Sequence, residues 1–242
     1  MIRTLLLVAG LVAVSTTSPA VAADRRYAVT DFDRVVVEGP YIVRLTVGGP
    51  STAVASGSQA ALDRVAIDVT GRMLRIRRNR HHWGGNPGAQ EGTVTVELGT
   101  RSLRSARLLG PARLDIDRIE GLKVDLSVEG SGRLRVAQLQ ADNLSVGLAG
   151  AGRVELAGTA EVMNANVQGS GDLEASGLRV ETAAITSVTS GAIAVEARRA
   201  ATVTALGLGT VEIAGTAACT LRGPNSDLVR CGSGRLDQSQ HR

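Results

Sequence analysis

Hydrophobic and polar positions recur together over residues 101–215 of the chain. The segment LSVEGSGRLRV at 126–136 shows the pattern most clearly, because apolar and polar residues alternate on both sides of a glycine-rich bend. Related segments occur at 107–116, 146–156, 165–175, 185–195 and 204–213. Their bend positions lie 20, 20, 19, 20 and 18 residues apart, at Gly110, Gly130, Gly150, Gly169, Thr189 and Gly207. A period of about 20 residues is typical of a stacked repeat.

The alternation inside each copy predicts β-strands with one inward face. Four residues after each bend position stands an apolar residue: Leu114, Leu134, Val154, Leu173, Ile193 and Val211. The neighbouring positions form two predicted outer rows, one of Arg113, Arg133, Arg153 and Asp172 and one of Asp115, Arg135, Glu155, Glu174 and Glu212. Side chains alternate between the two faces of a strand. Apolar residues of successive copies would therefore stack into a continuous core.

These features predict an all-β fold, a β-helix-like solenoid with coils of about 20 residues. An antiparallel β-barrel or sandwich is the alternative, because glycine-rich bends also suit hairpin turns. The near-constant spacing over the six copies favours the solenoid.

The first half of the chain carries weaker versions of the same pattern. Strands are predicted on both sides of Gly39-Pro40 and of Gly71, and again at 93–98. Because these segments look like diverged copies of the repeat, we expect one solenoid domain over 24–232. Residues 79–92 are predicted to form a loop, and the polar residues 233–242 a disordered tail.

The first 23 residues predict export. Arg3 precedes an apolar run over residues 5–14, which is shorter than the roughly 20 residues of a membrane-spanning helix. The small residues Ala20-Val21-Ala22 provide a cleavage site. We therefore expect a signal peptide at 1–23, no transmembrane segment in the mature chain, and a periplasmic, secreted or cell-surface location.

The chain contains two cysteines, Cys219 and Cys231. An even number of cysteines in an exported chain favours a disulfide. This bond would close a short loop just after the last repeat. The spacing does not fit a CxxC redox motif, and no histidine lies nearby.

The start of the chain and the repeats together resemble the bacterial head-GIN-domain family. The residues that carry the resemblance are Phe32, Asp33, Val35, Val37, Gly39, Val43 and Leu45, then Leu74 and Ile76, then Gly130-Ser131-Gly132 and Gly169-Ser170-Gly171. The family's members are labelled auto-transporter adhesins. The resemblance implies a right-handed β-helix-like fold over about residues 31–215 and an extracytoplasmic location. It implies no catalytic residue.

One segment, at 72–83, concentrates candidate binding residues. They are Arg72, Arg75, Arg77, Arg78, Arg80 and Trp83. Guanidinium groups pair with carboxylates and phosphates, and an indole ring can stack on a sugar. We expect acidic polysaccharide, lipopolysaccharide or an envelope protein as partner. The modest net charge of +4 does not indicate nucleic acid.

Two further features, a histidine pair and paired carboxylates, are considered for chemistry. The adjacent pair His81-His82 lacks an evident third metal ligand, so no metal or cofactor is predicted. A polysaccharide hydrolase or lyase would need two matched carboxylates, such as Asp115 and Asp117 or Glu155, but arginines alternate with the acids along these rows.

We therefore expect a non-enzymatic adhesive or envelope-associated scaffold. The alternatives are a polysaccharide-active enzyme and a periplasmic signalling or assembly partner, and the exposed end coils suggest end-to-end association.

Overall fold

The computed structural model describes residues 23–79 and 93–232, almost all of them in strands or tight bends. The predicted signal peptide, apart from Ala23, lies outside the described residues, as do most of the predicted loop at 79–92 and the whole tail at 233–242. The strands are β1 (Ala23–Tyr27), β2 (Arg34–Glu38), β3 (Ile42–Val47), β4 (Thr52–Gly57), β5 (Val65–Thr70), β6 (Met73–Arg78), β7 (Thr95–Thr100), β8 (Ser105–Leu109), β9 (Arg113–Gly130), β10 (Arg133–Gly150), β11 (Arg153–Gly169), β12 (Asp172–Thr189), β13 (Ile193–Ala205), β14 (Val211–Gly215), β15 (Ala218–Arg222) and β16 (Val229–Cys231). A short helix, α1, covers Gln59–Leu62, and a 3₁₀ turn covers Ser226–Leu228.

The repeats form a parallel β-solenoid, which confirms the predicted fold class and shows that the barrel alternative is wrong. Strand β10 lies between β9 and β11, and equivalent repeat positions are paired, so that Leu134 faces both Leu114 and Val154. Strands β9 to β12 are long because each one runs along a first face, bends at a corner and continues along a second face. The first face follows the strand order β1-β4-β7-β3-β9-β10-β11-β12-β13-β14-β16. The second face contains β5, β6, β2, β8, the later halves of β9 to β13, and β15.

The inward positions form apolar ladders that fill the interior. Leu114, Leu134 and Val154 have no exposed surface, and the ladder continues upward with Leu173, Ile193 and Val211, each 1% exposed. Fully burying one such side chain contributes about 1.5–3 kcal/mol. Because each coil buries its apolar side chains against the next one, the stacking of the coils holds the fold together.

Glycines at the bends between the two faces are required by backbone geometry and by close packing. Gly150 has a φ of 114°, a conformation that residues with a Cβ rarely adopt. Two residues later, a Cβ on Gly152 would lie 2.7 Å from the carbonyl oxygen of Gly132 in the coil below. The bends therefore stack backbone on backbone, which explains the small residues that recur in the sequence.

The N-terminal end of the solenoid is closed by antiparallel strands. β4 pairs antiparallel with β7, β1 pairs antiparallel with β4, and β5 forms a hairpin with β6. Only β2, β3, β6, β7 and β8 pair in parallel like the repeats. The expectation that the early predicted strands are diverged copies of the repeat is therefore wrong for β5, whose alternation does not reveal strand direction. The strands β1 and β4 were not predicted from the sequence.

Helix α1 and a salt bridge complete this N-terminal cap. The Ser58 hydroxyl accepts a hydrogen bond from the Ala61 backbone N–H at 3.2 Å, and Leu62 is fully buried. Arg25 of β1 pairs with Asp63 at 2.5 Å and donates to the Leu62 carbonyl at 3.0 Å. The cap thus fastens its outermost strand to the helix.

The C-terminal end has a different closure. β15 pairs with β13, and β16 pairs with β14, so the repeat continues beyond the last sequence copy. A disulfide joins Cys219 of β15 to Cys231 of β16, as the cysteine count predicted. No helix in the described part of the chain is long and apolar enough to cross a membrane.

Candidate functional site

The arginine segment that the sequence singled out lies along β6 and just before it. Arg72 pairs with Asp33 at 2.8 Å, Arg75 pairs with Glu38 at 3.4 Å, and Arg77 pairs with Asp68 at 3.3 Å. Arg78 ends β6 with an exposed side chain. Arg80 and Trp83 lie outside the described residues. The structure therefore brings the first three arginines against carboxylates of neighbouring segments, which compensate part of their charge.

Asp33 is the centre of an ion network that sequence reasoning did not identify as functional or structural. Its carboxylate, with 7% of the side chain exposed, lies 2.8 Å from both Arg72 and Arg104. Arg34 lies 3.6 Å from the other carboxylate oxygen. Arg72 and Arg104 belong to the coil positions on either side of Asp33, so the network ties adjacent levels of the solenoid together. The sequence signal was its place beside Phe32, which is buried, among the residues that carry the family resemblance.

The first face carries the two charged rows that the sequence predicted. Arg133 pairs in register with Arg113 on one side and Arg153 on the other. In the second row, Arg135 is in register with Asp115 and Glu155. The prediction that these residues point outward is confirmed, since all of them are exposed or half-buried.

The three arginines of the first row differ in their partners. Arg113 pairs with Asp115 of its own strand at 3.1 Å, and Arg153 pairs with Asp172 of the next coil at 2.7 Å. Arg133, between them, has no ion pair or hydrogen bond from its side chain to any residue in 23–79 or 93–232.

Asp172 ends this arginine row. Its carboxylate accepts a hydrogen bond from the Ala192 backbone N–H at 3.0 Å. This bond, and secondarily the hydrogen bond from Arg153, lowers the pKa of Asp172 below its ordinary value, because both favour the ionised form. Asp172 is therefore held as an anion at the fourth coil position of the row.

A shallow cleft of about 320 Å³ runs beside the arginine row, on the side of the bends. Its walls are the side chains of Arg113, Arg133, Arg153 and Asp172 and the small residues of the bends, such as Gly132 and Gly152. Apart from Asp172, no acidic side chain lines this cleft. Positive charge therefore dominates the cleft along three consecutive coils.

The second face is different, because its middle carries no charge. From β10 to β13 its outward side chains are short and neutral: Ser145, Gly147, Ala149, Asn164, Asn166, Gln168, Ala184, Thr186, Val188, Thr202 and Thr204. Hydroxyls and amides of this kind offer adaptable hydrogen bonds. The two faces therefore present different chemistry to a partner.

Two of the three carboxylates considered for catalysis, Asp115 and Asp117, are engaged in structural contacts. Asp115 pairs with Arg113, and Asp117 accepts hydrogen bonds from the backbone N–H groups of Val47 and Arg118 at 2.9 and 2.7 Å. Within residues 23–79 and 93–232, no group of three or more His, Cys, Asp or Glu side chains is arranged to hold a metal ion.

A filled interior and polar outer faces define a β-solenoid whose charged and polar side chains lie on its outside. The chain belongs to the family described as "Putative auto-transporter adhesin, head GIN domain", whose model matches residues 31–217. This finding confirms the resemblance seen in the sequence. No curated protein matches the chain.

Solved structures share the fold. A "putative adhesin" from Bacteroides fragilis superposes with a TM-score of 0.75 at 19% identity, over 88% of this chain and 97% of that one. A "putative lipid binding protein" from Parabacteroides distasonis gives 0.68 at 18% identity, over 89% and 97% of the two chains. Another "putative adhesin" from Parabacteroides distasonis gives 0.64 at 20% identity, over the same shares. At these identities the similarity concerns the fold.

Proposed function

We propose that this protein is a non-enzymatic, extracytoplasmic binding scaffold that acts in adhesion or in association with the cell envelope. The observation that carries the proposal is the division between interior and surface. The interior is filled by apolar ladders such as Leu114, Leu134 and Val154, whereas the polar side chains form rows on flat outer faces. A partner would therefore be recognised along a face, with contacts repeated at the coil spacing. Membership in a family described as adhesins supports this proposal.

The partners we propose are an acidic polysaccharide, lipopolysaccharide or an envelope protein. The segment 72–83 remains a candidate contact region, because Arg75 and Arg77 keep 45% and 38% of their side chains exposed. Arginines that already pair with carboxylates bind an added anion less strongly, since that anion must displace or share the existing partner. The uncompensated charge of the first face is therefore a stronger candidate for anion recognition.

End-to-end association belongs to the same proposal, and the two ends are unequal. At the N-terminal end the outermost strand, β1, carries Asp24, Arg25 and Arg26, and charged residues on an edge strand oppose pairing with another chain. At the C-terminal end, β15 and β16 pair on one side only within the described residues. Leu206 and Leu208 of the last coil are 48% and 76% exposed. Association through the C-terminal end is thus favoured.

The location of the protein tests the proposal directly. A tag placed after Arg242 would be followed by cell fractionation and by protease treatment of intact cells. Digestion on intact cells, or release into the medium, would support adhesion. Full protection in a periplasmic fraction would support an envelope-associated role. Recovery of the full-length chain, with residues 1–23 uncleaved, in the cytoplasm would contradict the proposal.

A further inference from the structure

One arginine row of the first face repeats without interruption over three coils. Arg113, Arg133 and Arg153 occupy the same position of β9, β10 and β11 and are paired in register. Neighbouring strands lie about 4.8 Å apart, so three positive charges are arranged in a line along the solenoid axis.

Such a row is unfavourable unless something compensates it, because like charges directly opposite each other on paired strands repel. The two ends of the row are compensated within the protein, since Arg113 pairs with Asp115 and Arg153 pairs with Asp172. Arg133 in the centre has no such partner among the described residues. The unmet charge therefore lies in the middle of the row.

The surroundings of Arg133 leave room for a ligand. On the side of the bends, the cleft of about 320 Å³ is lined by small residues, including Gly132 and Gly152, which have no side chain to obstruct an approach. Arg135, on the same strand and face, has a different setting, because it is in register with the acids Asp115 and Glu155. Arg133 and Arg135 therefore serve as test and control, because Arg133 lies between two arginines and Arg135 lies between two acids.

We propose that this row binds a linear glycan of carboxylated sugars that lies along the solenoid axis, with one carboxylate paired to Arg133. A guanidinium group binds a carboxylate through two parallel hydrogen bonds. A chain of acidic sugars carries one carboxylate per sugar, so its negative charge extends in one direction, as the arginine row does. Arg113 and Arg153, on either side of the central arginine, keep the ion pairs with Asp115 and Asp172 and add positive potential along the glycan, and Asp172 ends the site by repelling a further carboxylate. This inference deepens the proposed function, on which it rests for the contact with an extracellular or envelope glycan.

Calorimetric titration of the full chain with short oligogalacturonates tests the inference. We expect the wild-type protein to bind the free acid and not the fully methyl-esterified form. Arg133→Gln should weaken binding by about tenfold, the effect of losing one charge-assisted contact. Arg135→Gln should leave the affinity within about twofold, since exposed charges elsewhere on the face contribute little. Asp172→Asn should strengthen binding, because it removes the carboxylate that competes for Arg153.

Several results would overturn the inference. Equal weakening by Arg133→Gln and Arg135→Gln would show diffuse attraction to the face. Failure of the wild-type protein to bind oligogalacturonate, or stronger binding of inorganic phosphate or of dextran sulfate, which carries sulfates and no carboxylates, would overturn the proposal of a carboxylated glycan. Circular dichroism and thermal unfolding would verify that each variant is folded. Because cell fractionation tests the proposed function separately, an exported protein that does not bind oligogalacturonate would contradict this inference alone.

Discussion

At the scale of single residues, the most consequential side chain is the buried carboxylate of Asp33. Arg72 and Arg104, from two adjacent levels of the solenoid, each form an ion pair with it at 2.8 Å. These pairs lie at the junction between the antiparallel cap and the parallel coils. Hydrogen bonds between charged groups are shorter and stronger than neutral ones. Both arginines are more than half exposed, so their own desolvation cost is small.

Asp33→Asn should therefore lower the free energy of unfolding by about 1–3 kcal/mol, because the arginines lose their anion while the buried amide keeps only part of the hydrogen bonding. Urea denaturation at neutral pH would measure the loss. Asp31→Asn is the matched control, since Asp31 pairs with Arg101 at 3.7 Å and has 52% of its side chain exposed. We expect that change to stay within about 0.5 kcal/mol. Equal effects at the two positions would contradict a structural role for the Asp33 network.

The Asp33 network also shows what residue patterns alone could not predict. Asp33 and Arg72 are 39 positions apart, and nothing in the alternation of either segment indicates that they meet. The sequence identified Arg72 as a candidate for anion binding because arginines were dense around it. Its pairing with a buried acid depends on which levels of the solenoid become neighbours, and that depends on the chain path through the cap.

At the scale of elements, the bends set the spacing of the coils. Gly132 and Gly152 lie one above the other, and the backbone of each bend approaches the next so closely that a methyl group has no space. This contact accounts for the recurrence of small residues in the sequence, which made the period detectable before the structure was known.

Gly152→Ala should destabilise the protein by about 1–3 kcal/mol, the usual cost of forcing extra volume into a packed site. The added Cβ would lie 2.7 Å from the Gly132 carbonyl oxygen and 2.8 Å from the Val128 side chain. Gly49→Ala provides the control, because a Cβ there meets nothing within 4 Å. Its effect should be within about 0.5 kcal/mol. A similar shift of the urea midpoint in both variants would show that bend stacking does not limit stability.

Strand direction is the part of the element pattern that the sequence left undetermined. Alternation predicts which residues of β5 and β6 are buried, and it is the same for parallel and antiparallel partners. In the repeats the strand direction can be predicted, because a fixed period near 20 residues requires equivalent positions to stack in parallel. The cap strand β5 lacks that period, so the sequence could not separate it from a strand of an additional coil.

At the scale of the whole molecule, charge is distributed unevenly over the two faces. The first face carries rows of arginines and acids through β9 to β12, whereas the second face is neutral from β10 to β13. The sequence predicted both charged rows of the first face, since those follow directly from the period. It did not predict the importance of Arg133, because that depends on the partners of the two arginines beside it.

The two ends of the molecule also differ, and the difference predicts how it unfolds. In a solenoid, each coil is stabilised by its own contacts and by those with its neighbours, so an end coil has one neighbour fewer. At the N-terminal end, the antiparallel cap strands and α1 supply the contacts that a missing neighbouring coil would provide. The last C-terminal coil has short strands, β15 and β16, and the disulfide between Cys219 and Cys231, which are 12 residues apart.

Reduction of that disulfide should therefore loosen the C-terminal end first. Closing a loop of this size stabilises the folded state by roughly 3 kcal/mol, through the restricted unfolded chain. Amide hydrogen exchange after reduction should be faster in β15 and β16 and little changed in β9 to β11. The reason is that the loss of local stability at the C-terminal coil affects only the coils next to it. A Cys219→Ala/Cys231→Ala variant should behave identically with and without reductant, which separates loss of the bond from effects of the reagent. Equal acceleration of exchange in all coils would mean that the solenoid opens as one cooperative unit and that its end coil is not independently weak.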